Sequence, residues 1–354
     1  MRSVNIEGKI ISSGGKPFIV AELSGNHNQS IQRAKDLIDC AAEAGCDAVK
    51  LQTYTADTMT LNLNSGEFYV SDKNNLWHGY TLHSLYDKAH TPWEWHAELF
   101  SYIRNKGMVP FSSPFDETAV DFLESIACPV YKVASFEVTD IPLIRKIAKT
   151  GKPIIMSLGM ASLSEIEEAV GCARDNGCKD LILLKCTSTY PADPASSNIL
   201  TIPHLSTMFA CLTGISDHTF GTGVSVAATA LGAVLIEKHI TIDRNDGGVD
   251  SSFSMEPHEF KMLVQEVKRA WLALGKVSYG AVSDLEKKSK DYRRSLYVSE
   301  SVKKGDVLGA HNIAIVRPAK GLPPKYYDNV VGTVARHDMP IGHPLTWSDI
   351  SSDA

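Results

Sequence analysis

Along the first 275 positions a short unbroken apolar run repeatedly gives way to a polar turn and then to apolar residues spaced three and four apart. The runs fall at 17–24, 46–53, 108–113, 129–135, 153–158, 180–187, 211–217 and 233–240. Each is short and rich in β-branched residues, which suits strands covered on both faces. Helical spacing occupies 31–44, 93–106, 116–126, 141–149, 162–176, 221–231 and 257–274, while 198–208 shows it only weakly. Eight strand–helix units over about 260 residues predict an α/β fold of the closed (β/α)8 TIM-barrel type. A doubly wound open sheet fits less well, because the first strand–helix turn, Ser24-Gly25-Asn26-His27-Asn28, lacks the G-x-G-x-x-G that cradles a dinucleotide.

Two stretches break the pattern. Residues 54–90 carry Asp57, Asn62, Asn64, Tyr69, Trp77, His78 and Tyr80, too polar and aromatic for another unit. A long insert at the C-terminal end of a barrel strand is either part of the site or a surface excursion that meets a partner. Beyond a barrel domain at 1–275, residues 276–292 read as a polar linker, and 293–354 as a small all-β domain. There the runs SLYVSESV, AIVRPA and VVGTVA are punctuated by KKGD, GLPP and IGHP.

Composition narrows the function. A net charge of −6 argues against a nucleic-acid or anionic-membrane partner, so an anionic substrate would need a local cluster of cations. The seven cysteines include no C-x-x-C pair and read as free thiols in a reducing compartment. No signal-like or bilayer-length apolar run is visible, and a cytoplasmic location is expected.

In a barrel of this type the chemistry stands at the C-terminal strand ends. Those ends offer Glu22; Lys50 and Gln52; Ser112 and Ser113; Lys132, Ser135 and Glu137; Ser157; Lys185, Thr187, Ser188 and Tyr190; Ser216, Asp217 and His218; then Glu237, Lys238 and His239, with Asp250 beyond. Recurring lysines and hydroxyls suit a phosphate where no glycine-rich loop exists. His218 and His239, at equivalent ends of consecutive strands, suit a divalent metal with open positions for a substrate oxygen. His27 is a weaker ligand candidate that could equally fix its turn. Lys132 and Lys185 also admit a Schiff-base aldolase, which needs a neutral, desolvated lysine.

The runs FIVAELSGNHN, DAVKLQT, YKVASFE, CTSTYP, GISDHT and EKHIT resemble those of the sialic acid synthase family. RRSLYV, KKGD and VRPAKGL are similar to its C-terminal antifreeze-like (SAF) domain, so the likeness spans nearly the whole chain. TPWEWH, FSSPFD, ASFEVTDIPLI and DRNDGGVDSSFS look most like the family's pseudaminic acid synthases, with Phe136 where neuraminate and legionaminate synthases have glycine. One departure is SLGM at 157–160, where Leu158 replaces a hydroxyl residue of the family's STGM.

The resemblance implies a condensation of phosphoenolpyruvate with an N-acylated amino sugar. It implies a divalent ion, Mn2+ or else Mg2+ or Co2+, on His218 and His239. Phosphoenolpyruvate would be held by Lys50, Ser113, Lys132, Ser135, Ser157, Ser188 and Ser216. Glu22, Gln52, Glu137, Tyr190 and Asp250 would line the sugar side, with Glu137 protonating the new alkoxide and Glu22 near the water. Arg317 would reach the partner's barrel in a domain-swapped homodimer.

Overall fold

Eight parallel strands close into a barrel in the computed structural model, which describes residues 2–73 and 75–351. They are β1 (Phe18–Glu22), β2 (Ala48–Thr53), β3 (Val109–Pro114), β4 (Tyr131–Val133), β5 (Ile154–Ser157), β6 (Leu181–Cys186), β7 (Leu212–Ser216) and β8 (Leu235–His239). Neighbours in sequence are neighbours in the barrel, and β8 returns to pair with β1. β4 is shorter than the run at 129–135, its polar end being taken into the turn that leads to Glu137.

The covering helices are α1 (Ile31–Ala44), α2 (Trp93–Asn105), α3 (Glu117–Ser125), α4 (Ile141–Ala148), α5 (Leu163–Asp175), α6 (Thr201–Met208), α7 (Gly223–Ala230) and α8 (Pro257–Leu274). Local chemistry sets their ends. Ser30 accepts a hydrogen bond from Arg33 N at the start of α1, and Gly45 ends it at φ 88°. Ser162 and Glu165 form a capping box on α5. Their apolar stripes pack on the strands in one continuous core.

The weakly patterned stretch 198–208 does form a helix, α6. It has no side-chain cap and buries only Ile202 and Leu205, so its stability comes from packing rather than from its own sequence. The insert 54–90 contains the short helices Ala56–Met59 and Leu82–Ala89.

The chain divides into two compact units after Gly275. In the second, Ser295–Val298 pairs antiparallel with Ile313–Val316, and Val334–Ala335 with Ile350–Ser351. Its own core gathers Leu296, Val298, Val302, Leu308, Ile313 and Leu345. Short helical turns, Pro324–Tyr326, Tyr327–Val330 and Trp347–Asp349, interrupt the otherwise β character. The polar stretch 276–292 carries a helix, Asp284–Ser289, that buries no residue.

Candidate active site

Four charged side chains meet inside the C-terminal end of the barrel. Strand register places His239 opposite Glu22, and Glu22 opposite Lys50. Lys50 Nζ lies 2.9 Å from Glu237 Oε1 and 3.2 Å from Glu22 Oε2. Lys132 Nζ approaches Glu237 Oε1 at 3.7 Å, and Ser216 Oγ donates to the same oxygen at 3.1 Å. Gln52 Nε2 donates to Glu22 Oε1 at 2.9 Å. All four charged groups are buried.

Their titration follows from that crowding. Burial opposes the charge on Glu237, but the Lys132 and Lys50 ammonium groups outweigh it and hold the carboxyl well below its usual range. Glu22 goes the other way: burial raises it to about 7, against the pull of Lys50 and with the push of Glu237. Burial lowers Lys132 to about 8, with Glu237 resisting. At neutral pH the cluster therefore holds two ammonium groups, one firm carboxylate and one carboxyl near its midpoint. That is a local surplus of positive charge in an acidic protein.

Hydroxyls stand around this floor. Ser135 and Ser188 share a hydrogen bond of 2.7 Å. Gly159, at φ 49°, passes so close that a Cβ there would sit 2.6 Å from Ser135 Cβ. Ser113 Oγ and Ser157 Oγ are buried without a hydrogen-bond partner, as are Glu137 Oε2, Glu237 Oε2 and His239 Nδ1. Buried polar atoms are ordinarily paired, so this concentration of unpaired ones marks where a polar ligand belongs.

The two histidines stand beside this floor. Their ring centroids are 5.3 Å apart, and Tyr190 packs on His218 at 4.7 Å. His218 Nδ1 lies 3.0 Å from the Thr187 carbonyl, so a ring N–H there fixes the tautomer and leaves Nε2 with a free lone pair. Burial, followed by the nearby His218 and Lys50, holds His239 well below the ordinary imidazole range, so it is neutral, whereas on His218 burial is outweighed by the contact with Cys186, which raises it. With His239 Nδ1 unpartnered, the pair fits a divalent cation. Asp250 Oδ2 is 3.9 Å from that nitrogen and accepts a hydrogen bond from Ser24.

A cavity of about 400 Å³ opens above these groups, of the size that holds a small metabolite pair. Lys50, Gln52, Lys132, Ser135, Glu137, Ser157, Tyr190, Ser216, His218, His239 and Asp250 line it. Glu22, Ser113 and Ser188 lie beside or beneath the wall rather than on it. The insert supplies Tyr54, Met59, Val70, Trp77, Leu82, Leu85 and Tyr86, and with Phe115, Phe136 and Val249 makes one side apolar. Of the two readings of the insert, the wall of the site is therefore the one observed. Burial raises Glu137 to about 7 against the pull of Lys132.

Some expected residues go elsewhere. Lys185 donates to the Cys186 carbonyl at 2.7 Å and does not line the cavity. Lys238 pairs with Asp217 at 3.1 Å behind the strand. His27 is fully buried, with Nε2 3.2 Å from Thr91 Oγ1 and Nδ1 accepting from Gln29 N, so it fixes its turn and does not face a ligand. Leu158 is buried in the core. Arg317 lies exposed in the second unit, just past the strand Ile313–Val316. Glu237, the hub of the floor, was not among the residues singled out for binding or catalysis. Its period-two alternation with Lys238 was the available signal, since Glu237 and His239 share the inward face.

Comparison with known proteins agrees with this geometry. The NeuB family profile matches residues 37–279, and that of the SAF domain residues 293–351. The pseudaminic acid synthase of Helicobacter pylori is 42% identical over 334 residues, 94% of this chain and 98% of that protein. The N,N'-diacetyllegionaminic acid synthase of Campylobacter jejuni is 35% identical, over 90% of this chain and 96% of that one. Among solved structures, the Bacillus subtilis spore coat polysaccharide biosynthesis protein spsE is similar with a TM-score of 0.67 and 31% identity, covering 100% of both chains.

Proposed function

The chain belongs to the NeuB family and carries a SAF domain, and from that premise we propose that it is a pseudaminic acid synthase. It condenses phosphoenolpyruvate with 2,4-diacetamido-2,4,6-trideoxy-β-L-altropyranose, taken as the open-chain aldehyde, to give pseudaminic acid and phosphate. The observation that carries this reading is one cavity with a cationic, hydroxyl-rich floor beside a histidine pair of which His239 Nδ1 has no partner. Phosphate and carboxylate of phosphoenolpyruvate fit the floor of Lys50, Lys132, Ser135, Ser157 and Ser216, while the sugar fits the side bounded by Gln52, Tyr190, Asp250 and the apolar wall.

A divalent cation on His218 and His239, Mn2+ with Mg2+ or Co2+ as alternatives, would withdraw electron density from the aldehyde carbonyl. The methylene carbon of phosphoenolpyruvate forms the new bond to the aldehyde carbon, and Glu137 gives its proton to the aldehyde oxygen. Water, oriented from the Glu22 side, adds to the carbon bearing the phosphate ester, whose C–O bond then breaks. One of the water's protons restores Glu137 and the other leaves with phosphate. Lys50 and Lys132 hold the phosphate through this sequence, which is electrostatic stabilisation by groups already in place.

A domain-swapped homodimer, with Arg317 entering the partner's barrel, completes the proposed enzyme, and a cytoplasmic setting suits its substrates. No helix among the described residues is long and apolar enough to cross a membrane. The second reading is the same chemistry on N-acetylmannosamine or a legionaminate precursor. Phe136 and the higher identity to the pseudaminic acid synthase favour the first. Phosphate release from phosphoenolpyruvate with each of the three sugars tests it. The trideoxy-altrose should react fastest; preference for either other sugar would reassign the substrate, and no release with any would leave a sugar-binding barrel without turnover.

A further inference from the structure

Outside the barrel, His337, His343 and Asp349 in the C-terminal unit each present a donor atom, and these atoms all lie within 4.8 Å of one another. Three separate segments bring them together. His337 stands next to Arg336, whose N–H donates to the Asp349 carbonyl at 3.0 Å. His343 closes a turn onto the Pro340 carbonyl at 3.1 Å, and its own carbonyl accepts from Val298 N at 2.9 Å. Asp349 ends the short helical turn Trp347–Asp349. Its Oδ2 accepts from Thr346 N at 2.6 Å and Thr346 Oγ1 at 2.8 Å, so the buried carboxylate is held in one plane before any imidazole is considered.

His337 Nε2 lies 3.1 Å from Asp349 Oδ1, and His343 Nε2 3.2 Å from Asp349 Oδ2. The His343 nitrogen is buried and faces Asp349, whose carboxyl burial would raise but whose contacts with Thr346 and His343 hold below its ordinary range. A carboxylate with an imidazole nitrogen on each of its two oxygens is a donor set that a cation can occupy in place of the imidazole protons. The separations agree with this, since Zn–N and Zn–O bonds of about 2.0–2.2 Å place neighbouring ligand atoms roughly 3.2–3.5 Å apart. The ring planes meet at 87°, so the two nitrogens approach from different directions.

We propose that His337, His343 and Asp349 form a divalent metal site, filled by Zn2+, that clamps the end of the C-terminal domain and leaves one position open to water. Two imidazoles and one carboxylate favour zinc over the harder Mg2+ or Ca2+. The clamp joins the segment carrying Ile350–Ser351 to the loops on either side of Met339, and it is separate from the barrel histidines.

The test uses the full chain, stripped of metal and titrated with Zn2+, with Co2+ as a visible probe. A His218→Ala/His239→Ala variant should still bind one equivalent at micromolar Zn2+. Adding His337→Gln, at a half-exposed position, should weaken that equivalent at least ten-fold. In the otherwise unaltered chain, the same substitution should lower the bound metal from two equivalents to one and remove zinc protection of residues 336–351 against proteolysis. This arm decides the matter even if the barrel variant does not fold. An equivalent indifferent to both His337→Gln and His343→Gln, or no second equivalent at all, would overturn the proposal.

Discussion

Replacing Glu137 by Gln separates activity from stability in opposite directions. Glu137 stands on the turn after β4 with Oε2 buried and unpartnered, and burial raises its carboxyl to about 7 from an ordinary 4.5. That gap corresponds to about 3 kcal/mol. Below pH 4.5 the carboxyl is protonated folded or unfolded and costs nothing. Between 4.5 and 7 the unfolded chain ionises first, so stability falls as pH rises, and above 7 the full cost is present. Glutamine keeps the shape and never ionises. Glu137→Gln should therefore melt like the parent near pH 4.5 and several degrees higher at pH 8, since each kcal/mol moves a barrel of this size by about 2–4 °C.

Activity should move the other way. Loss of a general acid costs on the order of 10²–10⁴ in kcat. The parent kcat and kcat/KM should decline above pH 7 as the acid is lost. In the variant kcat should lose that decline, while kcat/KM keeps the limbs of the binding floor, Glu22 near 7 and Lys132 near 8. Phosphate release and thermal melts across pH 4.5–9 provide both readings. A variant whose kcat retains the decline above pH 7, that works within a few-fold of the parent, or that melts lower at pH 8 would refute the assignment.

His239→Ala, assayed after metal removal and replenishment, should lose activity on the order of 10³-fold, because one of two imidazoles is gone; normal turnover would sink the ligand pair. Arg317→Ala should be inactive alone yet regain activity when mixed and reassembled with Glu137→Gln, through hybrid dimers holding one intact site; absence of rescue counts against sharing across subunits. Phe136→Gly should reduce the preference for the 6-deoxy sugar over its 6-hydroxy counterpart by about five-fold, the worth of roughly one buried methyl, as read by competing the two sugars. An unchanged ratio would remove Phe136 from recognition.

The barrel was legible because each strand is an unbroken apolar run, a pattern that a sheet covered on both faces imposes directly. The site was legible only as a set of strand ends. Alternation can say that Glu237 and His239 face inward, but not that Glu237 meets Lys50 across 187 positions. Lys185 looked equivalent to Lys132 by position, yet it turns to its own neighbour's carbonyl. His27 was open to two readings, a weak ligand candidate or the residue that fixes the polar turn after β1, and the second holds, since it is enclosed by Thr91 and Trp95 from the segment after the insert. The helix at 201–208 was obscured because its stability comes from neighbours that no local window contains.

The charge cluster explains how a chain of net charge −6 can accept a phosphorylated acid. Were Glu22 and Glu237 both ionised, they would neutralise Lys50 and Lys132 and leave nothing for the substrate. Glu237 takes the carboxylate role permanently because both lysines face it. Glu22, sharing only Lys50 and sealed from solvent, titrates near neutrality instead. Arrival of an anion must raise Glu22 further, since a negative neighbour disfavours its charged form. The site can therefore take up a proton as it takes up phosphoenolpyruvate. Releasing phosphate reverses both changes, so Glu22 lets one buried floor serve an anionic ligand and its departure.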